Sequence, residues 1–596
     1  MAAALHAFDR NACYSHCPLL FIHDPFRMSY LDWIVLSLTL TFIVAYGIYK
    51  SRENNSIDSY LLADQSLPWY HVTLSLMATQ ASAITFLSAP GQAYTDGMRF
   101  VQFYFGLPLA MVVLCITFVP KFGKLKIFTA YEFLEGRFDL RTRTLTSFLF
   151  LLQRGLSTGL SIYAPSLILS SILGWDITLT NIISGGIVML YTVSGGAQAV
   201  SHTHLQQMGI VTVVMVIAGF MVVKLLPDNV SFSDALHVAG KMGKTNLIDF
   251  SFDLNNRYNV WSGLIGGFFL QLSYFGTDQS QVGRYLTGSS QGQSKLGLAM
   301  NGLLKIPMQF LILLVGVLVF AFYQFTNPPL FFNQVEVDKI RKTEFAQDFK
   351  KLEDQHTSIQ KEKRPHVLAL TSALNKKDEA AVDKARTILA ADEHKVKEVR
   401  GKAQTLLSKA NGGEVNDVNY IFLRFVIDYL PVGMLGLLIA VILLASMGSV
   451  AAAYNSLASC TIMDIYKRMY HKDNEDIDYV KASRWATFFW GIFCIVVAQY
   501  ASRLGSMIEA VNVLGSLFYG VILGIFLVAF YFKNIGGRAV FYASILGEIF
   551  VVLSYWKDLT AFLWLNLIGC VLVIGFAFAI EKIWPQKSSE KSPELI

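Results

Sequence analysis

Apolar runs of about 20 residues with few or no charges recur along this chain from Leu31 to Ile580, and that is the length a helix needs to cross the hydrocarbon core of a bilayer. Runs such as GIVTVVMVIAGFMVVKLL (209–226) and FLILLVGVLVFAFY (310–323) are apolar on every face. Strands of a membrane barrel would alternate in polarity over about 10 residues, so these segments are helices and the chain is an all-α, polytopic membrane protein. With 54% hydrophobic and 15% charged residues, it lacks the charged surface that a water-soluble fold of this size presents. The formal charge of +6 sits beside membrane segments rather than in one patch, which excludes nucleic acid as a partner and leaves the lipid bilayer as the expected surroundings.

Hydropathy and helix breakers predict about thirteen transmembrane helices, near 31–49, 70–94, 100–120, 143–173, 177–193, 205–225, 258–282, 296–325, 430–464, 482–502, 507–532, 538–555 and 560–581. Lys50, Lys121, Arg137, Arg141, Lys467, Lys533 and Lys582 then fall on one side, which the positive-inside rule makes the cytoplasm. The N-terminus is expected outside and the C-terminus cytoplasmic, in a plasma membrane of the bacterial inner-membrane kind. The expected organisation is an N-terminal tail (1–27), a first transmembrane part (28–331), an extramembrane insert (332–417), a second transmembrane part (418–582) and a cytoplasmic tail (583–596). Met28 is an alternative start, which would leave the tail untranslated. The tail carries CYSHC, with Cys13, His16 and Cys17, half of a metal-binding set without its other half. The insert alternates in charge and reads as a helical hairpin parted near Arg364–Asn375, with Gly412–Gly413 at its end and a partner unknown.

Polar residues at membrane depth are costly and mark cavities or partners. WYHVTLSLMATQASAITFLSAPGQAY (69–94) interrupts a spanning run with small and polar residues and Pro90-Gly91. Such a helix breaks easily, and unwound backbone near the midplane frees carbonyls for a cation. ILLASMGSVAAAYNSLASCTIMDIYK (442–467) has a narrow face at Ala445, Gly448, Ser449, Ala452 and Ala453, which on its own also suits close helix packing. No paired carboxylates at catalytic spacing, complete metal set or phosphate loop is present, so an enzyme is not expected.

Taken with SGGAQAV (194–200), SYFGTDQSQVGRYL (273–286) and NSLASCTIMDIYK (455–467), these segments resemble the sodium:solute symporters. The resemblance covers all but the tail and the insert. It implies a LeuT-type fold, two inverted five-helix repeats preceded by one extra helix, with sodium as coupling ion and no cofactor. It also implies that sodium lies between the first and eighth core helices, on carbonyls of Ala78, Ala81 and Ala445 and the Ser449 hydroxyl. Gly448 stands where the family often has a second hydroxyl residue, and His204 where sugar and sialate carriers often have an aspartate. One sodium per cycle is expected, with His204 either a possible proton-coupling site or a histidine at the cytoplasmic edge.

For the solute, the resemblance implies Gln80 and Thr85 on the first core helix, Gln271 and Tyr274 on the sixth, Lys305 on the seventh and Asn512 on the tenth. Tyr104 and Leu107 replace the polar residues of sugar carriers, with Gln102 and Glu509 as candidate replacements, and Arg154 and Asp278 are candidates to pair. The expected activity is sodium-coupled import of a small polar solute such as a sugar, polyol or sialate. A proton-coupled symporter using His204 and Lys305, or a solute-sensing transceptor, is the alternative.

Overall fold

The computed structural model describes residues 29–50, 65–125, 129–228, 230–411, 415–469, 479–501 and 506–585; the CYSHC motif lies outside them. In lipid every backbone polar group must find its partner inside the segment, so apolar runs become helices. Among the described residues nine helices are long and apolar enough to cross a membrane, and Tyr30–Ile43 and Ile177–Leu190 are shorter apolar helices. By length and composition these do not confirm the expected count of about thirteen. Neither segment expected near 70–94 and 258–282 is an uninterrupted helix.

The first helix, α1 (Tyr30–Lys50), is followed by α2 (Trp69–Gln80) and α3 (Ala83–Asp96), two halves of one broken segment. Next come a helical stretch to Leu125, α4 (Leu140–Leu173) and α5 (Ile177–Lys224). A second broken segment, α6 (Gly267–Thr277) and α7 (Gln279–Tyr285), precedes α8 (Gln291–Phe325). After the insert follow α11 (Met434–Cys460), α12 (Tyr479–Ala498), α13 (Met507–Tyr531), α14 (Gly537–Trp556) and α15 (Phe562–Ile583). The two breaks thus open the two successive sets of core helices, the arrangement expected of inverted repeats with a central site.

Close backbone approach holds the bundle together. A Cβ on Gly316 of α8 would lie 2.2 Å from Pro90 O, so only glycine lets α8 meet the broken helix there. Asp32 of α1 accepts from the amides of Gly433 (2.7 Å) and Gly436 (2.9 Å). Its carboxylate thereby faces the N-terminus of α11, where a negative charge is favoured.

The insert is a hairpin of α9 (Ala346–Asn375) and α10 (Glu379–Asn411). The break expected near 364–375 is displaced to 376–378: α9 continues through Pro365, because Val367, Leu370 and Leu389 are buried along the facing helices. It carries its own apolar core around Ile340, Phe349, Val399 and Leu407. Arg400 clamps its base, donating to Asp417 at 2.8 Å and to Leu330 O at 3.1 Å.

Candidate functional site

The break in the first core helix begins where small residues run as ATQASA. Ala81 still donates to Met77 O (2.7 Å), but Ser82 N–H turns to Gln80 O (3.2 Å) and Thr85 N–H to Ser82 O (2.9 Å). In a continuous helix those two amides would bond Ala78 O and Ala81 O. Two of the three carbonyls that the resemblance implies, Ala78 O and Ala81 O, therefore lose their i+4 donors, whereas Ala445 lies inside the uninterrupted α11. Ala78 and Ala81 are buried, as are Ala445 and Ser449 on α11, and α11 packs against both α2 and α3. The Ser449 hydroxyl donates to Ser446 O at 3.1 Å. Hard oxygen ligands of this kind suit a cation that prefers carbonyl and hydroxyl donors. Among the described residues no group of three or more His, Cys, Asp or Glu is placed to hold a metal.

His204 is fully buried. Its Nδ1 lies 3.2 Å from Ser75 Oγ. A Cβ on Gly448 would sit 2.8 Å from His204 Nε2 and 2.6 Å from Gln207 Oε1. The imidazole takes the space that a side chain at 448 would need.

Next to this region lies a cavity of about 90 Å³. Five of the six nominated solute residues line it, namely Gln80, Thr85, Gln271, Tyr274 and Asn512. Lys305 does not reach the wall; its Nζ lies 5.9 Å from the ring centroid of Tyr104, which does. Gln80 Nε2 faces Gln271 Oε1 at 3.5 Å, leaving Gln80 Oε1 and Gln271 Nε2 without partners among the described residues. Gln102 is turned away, donating to Tyr258 O (3.0 Å) and accepting from the Asp249 amide (3.0 Å). Glu509 is held by Arg257. Leu107 is buried outside the wall.

One end of the cavity is bounded by a polar layer at the second break. Asp278 has extended backbone and caps α7, accepting from Ser280 N at 2.8 Å. Its other oxygen accepts from Tyr519 OH (2.8 Å) and lies 3.7 Å from Arg154 Nη1. Gln281 Nε2 donates to Tyr274 OH at 2.6 Å, and the Tyr274 and Tyr519 rings are 5.7 Å apart. Deeper still, Arg143 binds Asp464 (2.5 Å) and Glu135 (2.7 Å), and Glu135 also binds Arg468 (2.6 Å). Sequence reasoning missed Tyr519, Gln153 and Ser157 as lining residues. The polar pair QR at 153–154 inside a spanning run was a usable signal, whereas Tyr519 in GSLFYGVILG carried none.

Residues 60–340 and 398–547 match the model of the sodium:solute symporter family, with the gap inside the insert. The chain is similar to the sodium-dependent multivitamin transporter of Oryctolagus cuniculus, 26% identical over 514 residues, which are 85% of this chain and 67% of that protein. It is similar to the sodium/iodide cotransporter of Homo sapiens, 31% identical over 306 residues, 50% of this chain and 46% of that one. Sodium-coupled monocarboxylate transporter 1 of Homo sapiens is 33% identical over 276 residues, 45% of this chain and 44% of that protein. The matches to these last two span less than half of their length. A substrate-bound, outward-open Na+-coupled sialic acid symporter superposes with a TM-score of 0.72 at 20% identity, covering 94% of this chain and 99% of that chain. That likeness gives the fold, a LeuT-type helical bundle, and the family match covers most of the sequence: this chain belongs to the sodium:solute symporter family.

Proposed function

We propose that the protein is a sodium-coupled symporter that imports a small polar organic solute by alternating access. The observation that carries this reading is the break at Ala81–Ser82, which turns the i+4 amides away from Ala78 O and Ala81 O beside the packed face of α11. Sodium on those carbonyls, Ala445 O and Ser449 Oγ joins the broken helix to α11. It therefore binds best in the conformation where the two are packed, and that differential affinity is what links ion to solute. The solute occupies the cavity between Gln80, Gln271, Tyr274 and Asn512, with Tyr274 and Tyr519 covering its inner side. Inward release requires the Arg154–Asp278–Tyr519 layer and the Arg143–Asp464–Glu135–Arg468 layer to part. In a plasma membrane with the N-terminus outside, each positive charge entering gains about 2.3 kcal/mol per 100 mV.

Relatives are named for a vitamin, iodide and monocarboxylates and the structural neighbour for sialic acid. A sugar has no special support among them. The test is uptake into proteoliposomes of labelled sugars, polyols, sialate, carboxylates and amino acids under an inward sodium gradient, then with potassium in its place. Sodium-dependent accumulation that disappears in Ser449→Ala supports the reading; uptake indifferent to sodium but driven by a proton gradient and lost in His204→Ala would transfer the coupling to protons.

A further inference from the structure

Between α2, α3, α5 and α8 runs a second cavity, about 670 Å³ in volume and several times larger than the solute cavity. Along α5 its wall extends from Met208 to Val223, about 22 Å at 1.5 Å per residue, against about 30 Å for the whole hydrocarbon core of a bilayer. Its mouth opens at membrane depth, because the rim residues Phe220 of α5 and Leu311 of α8 are 72% and 45% exposed on two spanning helices. Its floor lies inside the bundle, where Met77 of α2 is 5% exposed and Phe86 of α3 is 1% exposed. These two residues stand on opposite sides of the break at Ala81–Ser82.

The lining gives water nothing to bond. Thr212 carries the one polar side chain among the described lining residues, and its hydroxyl already donates to Met208 O at 2.8 Å, whereas a buried water needs about two to four polar partners. Left empty, a space of this size would forfeit the dispersion contacts of every side chain around it. A helix of a second copy does not fit, since a helix about 10–12 Å wide and that long occupies roughly 1,600 Å³ or more. What surrounds the mouth is hydrocarbon, whose chains are thin, flexible and as apolar as leucine.

We propose that this groove is a lipid site, in which one acyl chain of a bilayer phospholipid lies along α5 with its flank against Met77 and Phe86. Bound there, the chain touches both halves of the broken core helix, so neither half moves relative to α5 and α8 without repacking it. This holds whichever ion and solute the protein carries.

The experiment reconstitutes the full chain with a trace of phosphatidylcholine bearing a diazirine midway along one acyl chain, irradiates it and maps the adducts by mass spectrometry. Lipid that merely surrounds the protein reaches the rim, so adducts on Met77 and Phe86 are the expected mark of a bound chain. Gly219 lines the groove and has room for a side chain, since an added Cβ would meet Val315 Cγ2 at 3.4 Å and nothing nearer. Gly219→Trp fills the space and lowers labelling of Met77 and Phe86 at least about tenfold, with labelling of Phe220 and Leu311 kept within about twofold. Monodisperse elution and a helical circular-dichroism spectrum like those of wild type show that the variant is folded; if it is not, Thr212→Phe on the same wall replaces it. Adducts confined to the rim in wild type, deep adducts that the filled variant leaves unchanged, deep labelling by a photoreactive cholesterol in place of the phospholipid, or cross-links from Met77 and Phe86 to a second copy would each overturn the assignment.

Discussion

Replacing Gly448 by serine adds a hydroxyl beside Ser449, yet it is expected to weaken sodium use. A Cβ at 448 lies 2.8 Å from His204 Nε2 and 2.6 Å from Gln207 Oε1, both inside contact distance. The Gln207 carboxamide is the end of a flexible side chain and can turn away. The imidazole is pinned on its far side, with Nδ1 3.2 Å from Ser75 Oγ, so the strain passes into the contact between α5 and α11. Overpacking of this kind costs about 1–3 kcal/mol. If that cost falls on the packed, sodium-bound arrangement, the half-saturating sodium concentration rises roughly 5- to 150-fold, at about 1.4 kcal/mol per tenfold. The assay is the initial rate of solute uptake into proteoliposomes against sodium concentration at fixed ionic strength. Gly448→Ser combined with His204→Ala opens the space and returns the value to within about threefold of wild type, a coupling of the size expected for touching residues. A single variant whose sodium requirement is unchanged or lower, or a double variant no better than the single, would refute the steric account.

Three further outcomes follow from the geometry. Burial, reinforced by Arg400 and Lys363, holds the His356 imidazole down to about 4 from an ordinary 6.5; the unfolded chain then binds that proton first, so stability falls as pH drops from 6.5 to 4, and thermal unfolding of His356→Gln should lack that part of the slope. Asp464→Asn removes the anion bound to Arg143 at 2.5 Å while Glu135 stays at 2.7 Å; a loss of about 3 kcal/mol is expected, read as a lower unfolding midpoint in detergent, and an unchanged midpoint would argue against the inner layer as a structural clamp. Tyr274→Ala takes away the inner cover of the cavity, so KM for the solute should rise about tenfold or more with the sodium requirement nearly unchanged, whereas a matching rise in both would place Tyr274 in the coupling between them.

Most of the fold was legible because lipid leaves the backbone so few options. A run such as Leu140–Leu173 or Phe562–Ile583 must be helical, and hydropathy finds it to within a few residues. The segments that escaped a simple count were the broken ones, where Ala81 and Asp278 leave helical geometry; small residues hinted at the first break but not at its residue. In the insert the break expected near 364–375 lies later, because α9 continues through Pro365 where packing along the helix holds it together. At the site, Gln80, Thr85, Gln271, Tyr274 and Asn512, the positions that the family resemblance implies, come together at one cavity. What sequence could not show was partnership. That Gly448 is small because His204 fills its place, or that Gln102 is tied to Tyr258 and Asp249, follows only from distances between residues far apart in the chain.

The central claim is that sodium is held where the first core helix breaks, against α11. Equilibrium binding of ²²Na+ to the purified full-length protein tests it most directly. Saturable binding of about one equivalent is expected, displaced by unlabelled sodium and not by potassium, and lost in Ser449→Ala at a sodium concentration that saturates wild type. Binding that potassium displaces equally, or that Ser449→Ala leaves unchanged, would contradict it.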